Sequence, residues 1–120
     1  MIEVIETFAA IVSTYQHTVE NSPGTKTVER AQITFIDHSR LVAYESRKGD
    51  KFKYGYQWMN PDNETIFRWD NTPHFPEFTT FPFHRHIGSS EIAESFPAVS
   101  LADVLQFISD QIIASQQSPQ

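Results

Sequence analysis

Three histidines lie close together in the second half of the chain, and histidine is the side chain best suited to proton transfer near neutral pH. The histidines and their polar neighbours are Arg68, Asp70, Asn71, His74, His84, Arg85 and His86. If the segment around His84 is extended, the rings of His84 and His86 point to one side and Arg85 points to the other. The spacing therefore predicts a cluster of imidazole, carboxylate and guanidinium groups.

Proton transfer on a phosphodiester is one reaction that these groups could catalyse. One histidine would take the proton of a 2′-hydroxyl, a second would protonate the leaving oxygen, and an arginine would stabilise the developing charge. For such a metal-independent ribonuclease the candidate catalytic residues are His74, His84, His86, Arg68 and Asp70. The candidate substrate contacts are Asn71, Arg85, Lys51 and Lys53.

Two other interpretations of the same residues stay open. Histidines separated by one residue in a strand can bind one metal ion, so the alternative metal site is His74, His84 and His86. Asp70 could replace His74 as the third ligand of that site. In the other interpretation, the imidazoles and Asp70 hydrogen-bond the backbone of a proline-rich loop and Arg68 pairs with an acid. The protein would then be a non-catalytic binding or structural module.

Hydrophobic periodicity predicts an α+β fold. Helical spacing over residues 1–12 is followed by short segments of alternating polarity, which predict antiparallel strands. We place the strands at residues 15–19, 28–37, 41–46, 52–58 and 65–70. An apolar stripe from Leu101 to Ile113, which begins with an approximate capping box at Ser100 and Asp103, predicts a C-terminal helix. The fold class is thus a single antiparallel β-meander of about five strands, packed by an N-terminal and a C-terminal helix.

Residues 71–97 interrupt the alternation of polar and apolar side chains. Four prolines lie there among five phenylalanines, and proline at that density opposes a helix or a central strand. We therefore expect a long, ordered Pro/Phe/His-rich loop between the last strand and the C-terminal helix.

One strand carries an aromatic stripe, made of Phe52, Tyr54, Tyr56 and Trp58. Such a stripe can be a platform on which nucleic-acid bases stack. It is more often the packed face of a sheet beneath a helix, and we favour that interpretation.

Composition limits the class of protein. The 120 residues suit one domain, which we place at 1–114 with a frayed tail at 115–120. The absence of cysteine excludes disulfides, thiolate zinc sites and a cysteine nucleophile. The net charge of −6 opposes sequence-independent attraction to nucleic acid, so an RNA-binding role needs a local basic site.

Motifs for cofactors and targeting are missing from the sequence. It contains no phosphate-binding loop, dinucleotide fingerprint or nucleophile elbow, so we predict no cofactor. No apolar run is long enough for a membrane helix, and the first residues are acidic where a signal peptide is basic. We therefore expect a cytoplasmic protein with no membrane contact. No sequence feature selects an oligomeric state.

The residues around the histidines resemble a known family. The block from Phe67 to Glu77, followed by the block from Thr80 to His86, is similar to the TumE-type toxins of bacterial toxin–antitoxin systems. That family shows an arginine, an aromatic residue, Asp-Asn, a Pro-His pair and then a run ending in His-basic-His. The likeness covers roughly residues 28–113, and these two blocks are its specific part.

The resemblance implies a toxin that is usually encoded beside a helix-turn-helix antitoxin, which would be its partner. By analogy with other small toxins, it also implies RNA as the target. The residues that match the motif are Arg68, Asp70, Asn71, His74, His84, Arg85 and His86. The sequence departs from the family at Phe75 and Phe83, where histidine is frequent, so two further proton carriers or ligands are absent.

Overall fold

A computed structural model of the chain describes residues 1–90 and 92–117. The elements in chain order are α1 (Ile2–Thr7), β1 (Val12–Ser22), β2 (Lys26–Phe35), β3 (Arg40–Lys48), β4 (Lys51–Met59), β5 (Thr65–Asp70), β6 (His84–Ile87), β7 (Ala93–Ser95) and α2 (Leu101–Gln117). The strands form one antiparallel sheet in which every strand pairs with the next one along the chain. The predicted α+β meander with a helix at each end is therefore confirmed.

The number of strands corrects the prediction of about five. All five predicted strands are present, and β6 and β7 form a further hairpin inside the segment that we expected to be a loop. The prolines explain the difference, because Pro82 and Pro97 stand just outside the two strands and interrupt neither. The irregular segment is therefore residues 71–83, and it joins β5 to β6.

Both helices pack on one face of the sheet, which we call the helix face and which carries Tyr56, Trp58 and Trp69. Phe107 of α2 meets the two tryptophan rings edge-on, at centroid distances of 6.1 and 5.7 Å. Tyr56 is completely buried, so the aromatic stripe of β4 is a packed face and offers no platform for bases. Each large apolar side chain buried there contributes about 1.5–3 kcal/mol to stability.

The ends of three elements differ from the prediction. Helix α1 ends at Thr7, and β1 is longer than predicted because it pairs with β2 from Val12 to Ser22. Helix α2 continues to Gln117, where we predicted a frayed tail from Ser115 onward; residues 118–120 lie outside the described part of the chain. None of the described helices is both long and apolar enough to span a membrane.

None of the helices in the described residues packs on the opposite face of the sheet. We call it the open face, and it carries Gln57, Arg68 and Asp70, whose side chains alternate with those of the helix face. The predicted histidine cluster lies on this face.

Candidate functional site

The pairing of β5 with β6 brings four of the predicted catalytic residues together. Asp70 lies directly opposite His84, and Arg68 lies directly opposite His86. Because alternate residues of a strand share a face, all four side chains point to the open face, whereas Trp69 points to the helix face. Cross-strand neighbours on one face have Cβ atoms about 4.5–5.5 Å apart, close enough for direct contact.

Asp70 and His84 form a buried pair at the centre of the cluster. Nε2 of His84 lies 2.8 Å from Oδ1 of Asp70, and the two side chains are only 1% and 8% exposed. Nδ1 of His84 lies 3.0 Å from the carbonyl oxygen of Pro82. Both ring nitrogens thus face oxygen acceptors, and a neutral imidazole has one N–H and can satisfy only one of them. The two contacts hold the ring between the carboxylate of Asp70 and the backbone carbonyl of Pro82.

His86 lies at the edge of the same cluster and is more accessible. Its Nε2 is 3.1 Å from Nε2 of His84 and 3.1 Å from Nη2 of Arg68. Burial, followed by the positive guanidinium of Arg68, lowers the pKa of His86, although the carboxylate of Asp70 acts in the opposite direction. A neutral His86 accepts the Arg68 N–H at Nε2 and carries its own proton at Nδ1, so Nε2 can act as a base only when Arg68 turns its N–H to another acceptor.

Arg68 contacts the buried carboxylate of Asp70 and is itself partly exposed to solvent. Its Nε lies 3.2 Å from Oδ2 of Asp70, and 46% of its side chain is exposed. The backbone N–H of Thr72 donates to Oδ1 of Asp70 at 3.0 Å, which holds the carboxylate in place at the end of β5. The guanidinium therefore has a fixed anchor and free N–H groups for an anionic ligand.

An open pocket of about 400 Å³ lies beside the cluster. Its lining residues are Gln57, Thr65, Arg68, Phe75, His86, Gly88, Ser89 and Ser90. The ring of Phe75 forms one wall, since it packs edge-on against His84 at 4.9 Å and against His86 at 6.0 Å. A ligand in this pocket would reach Arg68 and His86, whereas His84 lies behind them.

Three potential metal ligands converge in the cluster. One ligand atom each from Asp70, His84 and His86 lies within 4.8 Å of the other two. His74 is not part of this group, so the structure replaces it with Asp70 in the predicted metal set. His84 Nδ1 lies 3.0 Å from the carbonyl oxygen of Pro82, and histidines that bind a metal through one ring nitrogen commonly donate the other N–H to such an acceptor.

The structure separates His74 from the four converging residues. His74 lies in the exposed segment between β5 and β6, with its ring 6.5 Å from that of Phe75. Its charge nevertheless acts on His86, where it contributes to the lowered pKa. It therefore lies near the cluster without joining its hydrogen bonds.

The candidate substrate contacts have different locations. Asn71 bonds to the backbone of β4, accepting from Tyr54 N–H at 3.0 Å and donating to the carbonyl of Phe52 at 2.8 Å. Arg85 points to the helix face, where its Nε lies 2.6 Å from Oε1 of Glu94. Its guanidinium stacks between two phenylalanine rings, Phe67 and Phe96, at 4.2 and 4.4 Å. Both side chains are thus occupied by structural contacts.

Lys51 and Lys53 stand on the open face by strand alternation, on the same side of the sheet as the histidines. Both side chains are exposed, and neither forms an ion pair with any residue of the described ranges. They can therefore contact an extended ligand without contacting the cluster itself.

Sequence reasoning missed several residues that line the pocket. Gln57 alternates with the aromatic stripe, and its position opposite Arg68 follows only from the register of β4 and β5. Gly88, Ser89 and Ser90 form the turn after β6, where Gly88 has a φ of 65° that favours glycine. The alternating residues around His86 could have predicted strand β6 and the turn after it, but the neighbouring prolines led us to expect a loop.

Comparison with known proteins identifies a family relationship. A family model described as "Toxin TumE" matches residues 1–112, which is nearly the whole chain. The match includes every residue of the cluster and agrees with the resemblance that its motifs suggested. No curated protein and no solved structure matches the chain.

Proposed function

The chain belongs to the TumE toxin family, and from that premise we propose that it is a toxin that cleaves RNA at its His86 cluster without a metal ion. The observation that carries the proposal is the position of His86. This ring lies in the wall of an open pocket, beside a guanidinium that lowers its pKa and can also contact a phosphate. A base and an anion-binding group at one accessible point are what phosphodiester transfer requires.

The roles of the pocket residues follow from their exposure. His86 takes the proton of the 2′-hydroxyl at Nε2, which becomes free when Arg68 turns its N–H from that nitrogen to the phosphate. Arg68 stabilises the negative charge that develops on the phosphate, and its anchor at Asp70 limits its movement. His74, which is exposed and close enough to influence His86, protonates the leaving oxygen.

His84 and Asp70 act as positioning residues in this mechanism. The side chain of His84 is 1% exposed and faces Asp70, so it does not reach a substrate in the pocket. Its Nε2 contact with His86 instead fixes the orientation of the base.

The first test is growth of cells that express the protein, combined with cleavage of RNA by the purified protein in the presence of a chelator. The wild type should arrest growth and cleave RNA with the chelator present, and His86→Ala should abolish both effects. His38→Asn is the matched control, because His38 lies in the turn between β2 and β3 with a φ of 69°, which asparagine tolerates. Equal toxicity of wild type and His86→Ala would contradict the proposal.

A metal centre is the second candidate function, favoured by the spacing of its ligand atoms. Nε2 of His84 and Nε2 of His86 lie 3.1 Å apart, and Oδ1 of Asp70 is 2.8 Å from the former. Two bonds of about 2.0–2.1 Å at a tetrahedral zinc ion place their donor atoms slightly more than 3 Å apart. Arg68 would have to turn away from Asp70 toward solvent.

Equilibrium dialysis against zinc and manganese distinguishes the two functions. A metal centre predicts one bound ion in the wild type, none in Asp70→Asn and loss of cleavage with a chelator. The acid–base mechanism predicts cleavage that is unchanged when metal is removed.

We also propose that an antitoxin partner with a helix-turn-helix fold neutralises this toxin. Family membership supports an antitoxin, and the type of partner follows from the resemblance alone. Co-expression with the product of the adjacent gene should restore growth. Continued growth arrest in the presence of that product would contradict this assignment.

A further inference from the structure

We propose that the open face binds a single strand of RNA that runs across the strands, from β1 to the pocket at His86. The inference rests on the proposed function and identifies how its substrate is held. It depends on two independent features of the face, which are a transverse row of amide side chains and a strong separation of charge.

The row of amides follows from the register of six strands. Successive cross-strand partners on the open face are Gln16, Gln32, Val42, Gln57, Arg68 and His86. With strands about 4.8 Å apart, five intervals span roughly 24 Å. We call the three glutamines of this series the glutamine row; it leads directly to the candidate base.

The glutamine row borders two depressions in the open face. One is the 400 Å³ pocket, which Gln57 lines together with Arg68 and His86. The other, of about 110 Å³, lies across β1, β2 and β3 and is lined in part by Gln16, Gln32 and Arg40. Amide groups both donate and accept hydrogen bonds, so they can contact unpaired bases and the sugar–phosphate chain alike.

The charged side chains are divided between the two sides of the sheet. Seven of the nine Lys and Arg residues occupy strand positions that face the open side, namely Lys26, Arg30, Arg40, Lys48, Lys51, Lys53 and Arg68. Among the acids in the described strands, only Glu20 and Asp70 share that face, and Asp70 is buried. The acids of α1 and α2 lie on the other side.

This separation answers the objection that a net charge of −6 raises against RNA binding. The potential at a surface depends on the charges that face it, and here the open face is basic while the helix side is acidic. Phosphates are therefore attracted to the face that carries the histidine cluster. We infer a single strand because its unpaired bases can contact the amide side chains, whereas the bases of a duplex are paired and stacked.

The experiment measures binding of a labelled oligoribonucleotide of about eight nucleotides, within the site sizes of about 4–16 that single-strand binders use. Fluorescence anisotropy is recorded with His86→Ala as the background, so that cleavage does not interfere. The test variants are Gln32→Ala, Arg40→Gln and Lys53→Gln, none of which alters a residue that lines the 400 Å³ pocket at His86. The matched controls are Gln111→Ala on α2 and Arg47→Gln, which change the same side-chain types on the helix side.

Loss of one amide contact should weaken binding about two- to tenfold. Loss of one phosphate contact should reduce the slope of log K against log salt by about 0.7. The two controls should bind like the background protein. Thermal melting of every variant excludes unfolding as the cause of a weaker interaction.

Equal binding by all the variants and controls would overturn the inference, even if the wild type cleaves RNA at His86. Binding that depends on Gln32, Arg40 and Lys53 would support it, even if no cleavage is found and the proposed function fails. Binding that is lost with the control Arg47→Gln, but not with Arg40→Gln, would also overturn it, because the strand would then lie on the helix side.

Discussion

His84 and Asp70 face each other across β5 and β6 with Nε2 of the ring 2.8 Å from the carboxylate, and both side chains are withdrawn from solvent. The pair connects the buried part of the cluster to its accessible part, since Asp70 also holds Arg68 and His84 also contacts His86. Stability and activity should therefore both depend on it.

Asp70→Asn should lower the free energy of unfolding by about 1–3 kcal/mol, because it replaces a buried carboxylate that His84, Arg68 and the Thr72 N–H all contact. The amide can still accept the Thr72 N–H, but it leaves His84 and Arg68 without their anion. Urea denaturation measures the change. Asp110→Asn, on the exposed surface of α2, should shift the unfolding free energy by less than about 0.5 kcal/mol. Equal effects of the two changes would argue against a buried pair.

Arg68→Gln should raise the pKa of His86. Burial and the guanidinium both lower this pKa in the wild type, so removal of the positive charge leaves only burial and the weaker influence of His84 and His74 acting to lower it. The protonated form then persists to higher pH, and the acidic limb of any cleavage profile moves in the same direction. NMR titration of the His86 ring measures the shift directly.

Arg40→Gln is the control for that titration. Arg40 also lies on the open face, but it is in β3 and two strands, β4 and β5, separate it from β6, and solvent screening weakens charge interactions over such distances. The His86 titration should be unchanged in this variant. A shift of similar size with both substitutions would point to a general charge effect and against a specific role of Arg68.

Asn71→Ala should destabilise the fold by about 1–3 kcal/mol, because it leaves two backbone groups of β4 without partners. Asn71→Asp keeps the acceptor for Tyr54 N–H but loses the donor to Phe52, so its loss of stability should lie between zero and that of Asn71→Ala. RNA cleavage per folded molecule should not change in either variant. A loss of cleavage without a loss of stability would restore Asn71 as a substrate contact.

Glu29→Gln should lower stability by about 1–2 kcal/mol at neutral pH. Nε2 of His17 lies 2.6 Å from Glu29 Oε2, and this bond, with that of the Met1 amino group, lowers the pKa of Glu29 even though burial acts to raise it. A lowered carboxylate pKa stabilises the fold above its unfolded value of about 4.3 and is lost as pH falls through the folded value. The deficit should therefore disappear in acid.

Thermal melting across pH measures that effect, and Glu20→Gln provides its control. Glu20 pairs with Arg30 at 3.3 Å, but both side chains are more than half exposed, so its removal should cost little at any pH. A deficit in Glu29→Gln that stays constant down to low pH would contradict the role of its charge.

Several parts of the fold could be predicted because the relevant forces are local. The apolar stripe of α2 and the alternation of Phe52, Tyr54, Tyr56 and Trp58 record which side chains face the core. We did not predict the hairpin β6–β7 because proline disfavours strands. Whether a proline interrupts a strand depends on whether its position requires a backbone N–H for the sheet, and the sequence does not show this.

The sequence by itself determined the strand order of the first five strands, the amphipathic helix and the presence of histidine, aspartate and arginine on alternating positions. The spacing of these residues also indicated the family, and the match to the family model confirms it. These properties depend on the chemistry of each residue and on neighbours a few positions away.

Only the tertiary structure decided which of these groups meet. The register of β5 with β6 places Asp70 opposite His84 and Arg68 opposite His86, sends Arg85 to the other face and leaves His74 outside. Register depends on backbone hydrogen bonds between segments more than a dozen residues apart, which no local pattern encodes. The same long-range pairing separates the charges of an acidic chain into one basic face and one acidic side.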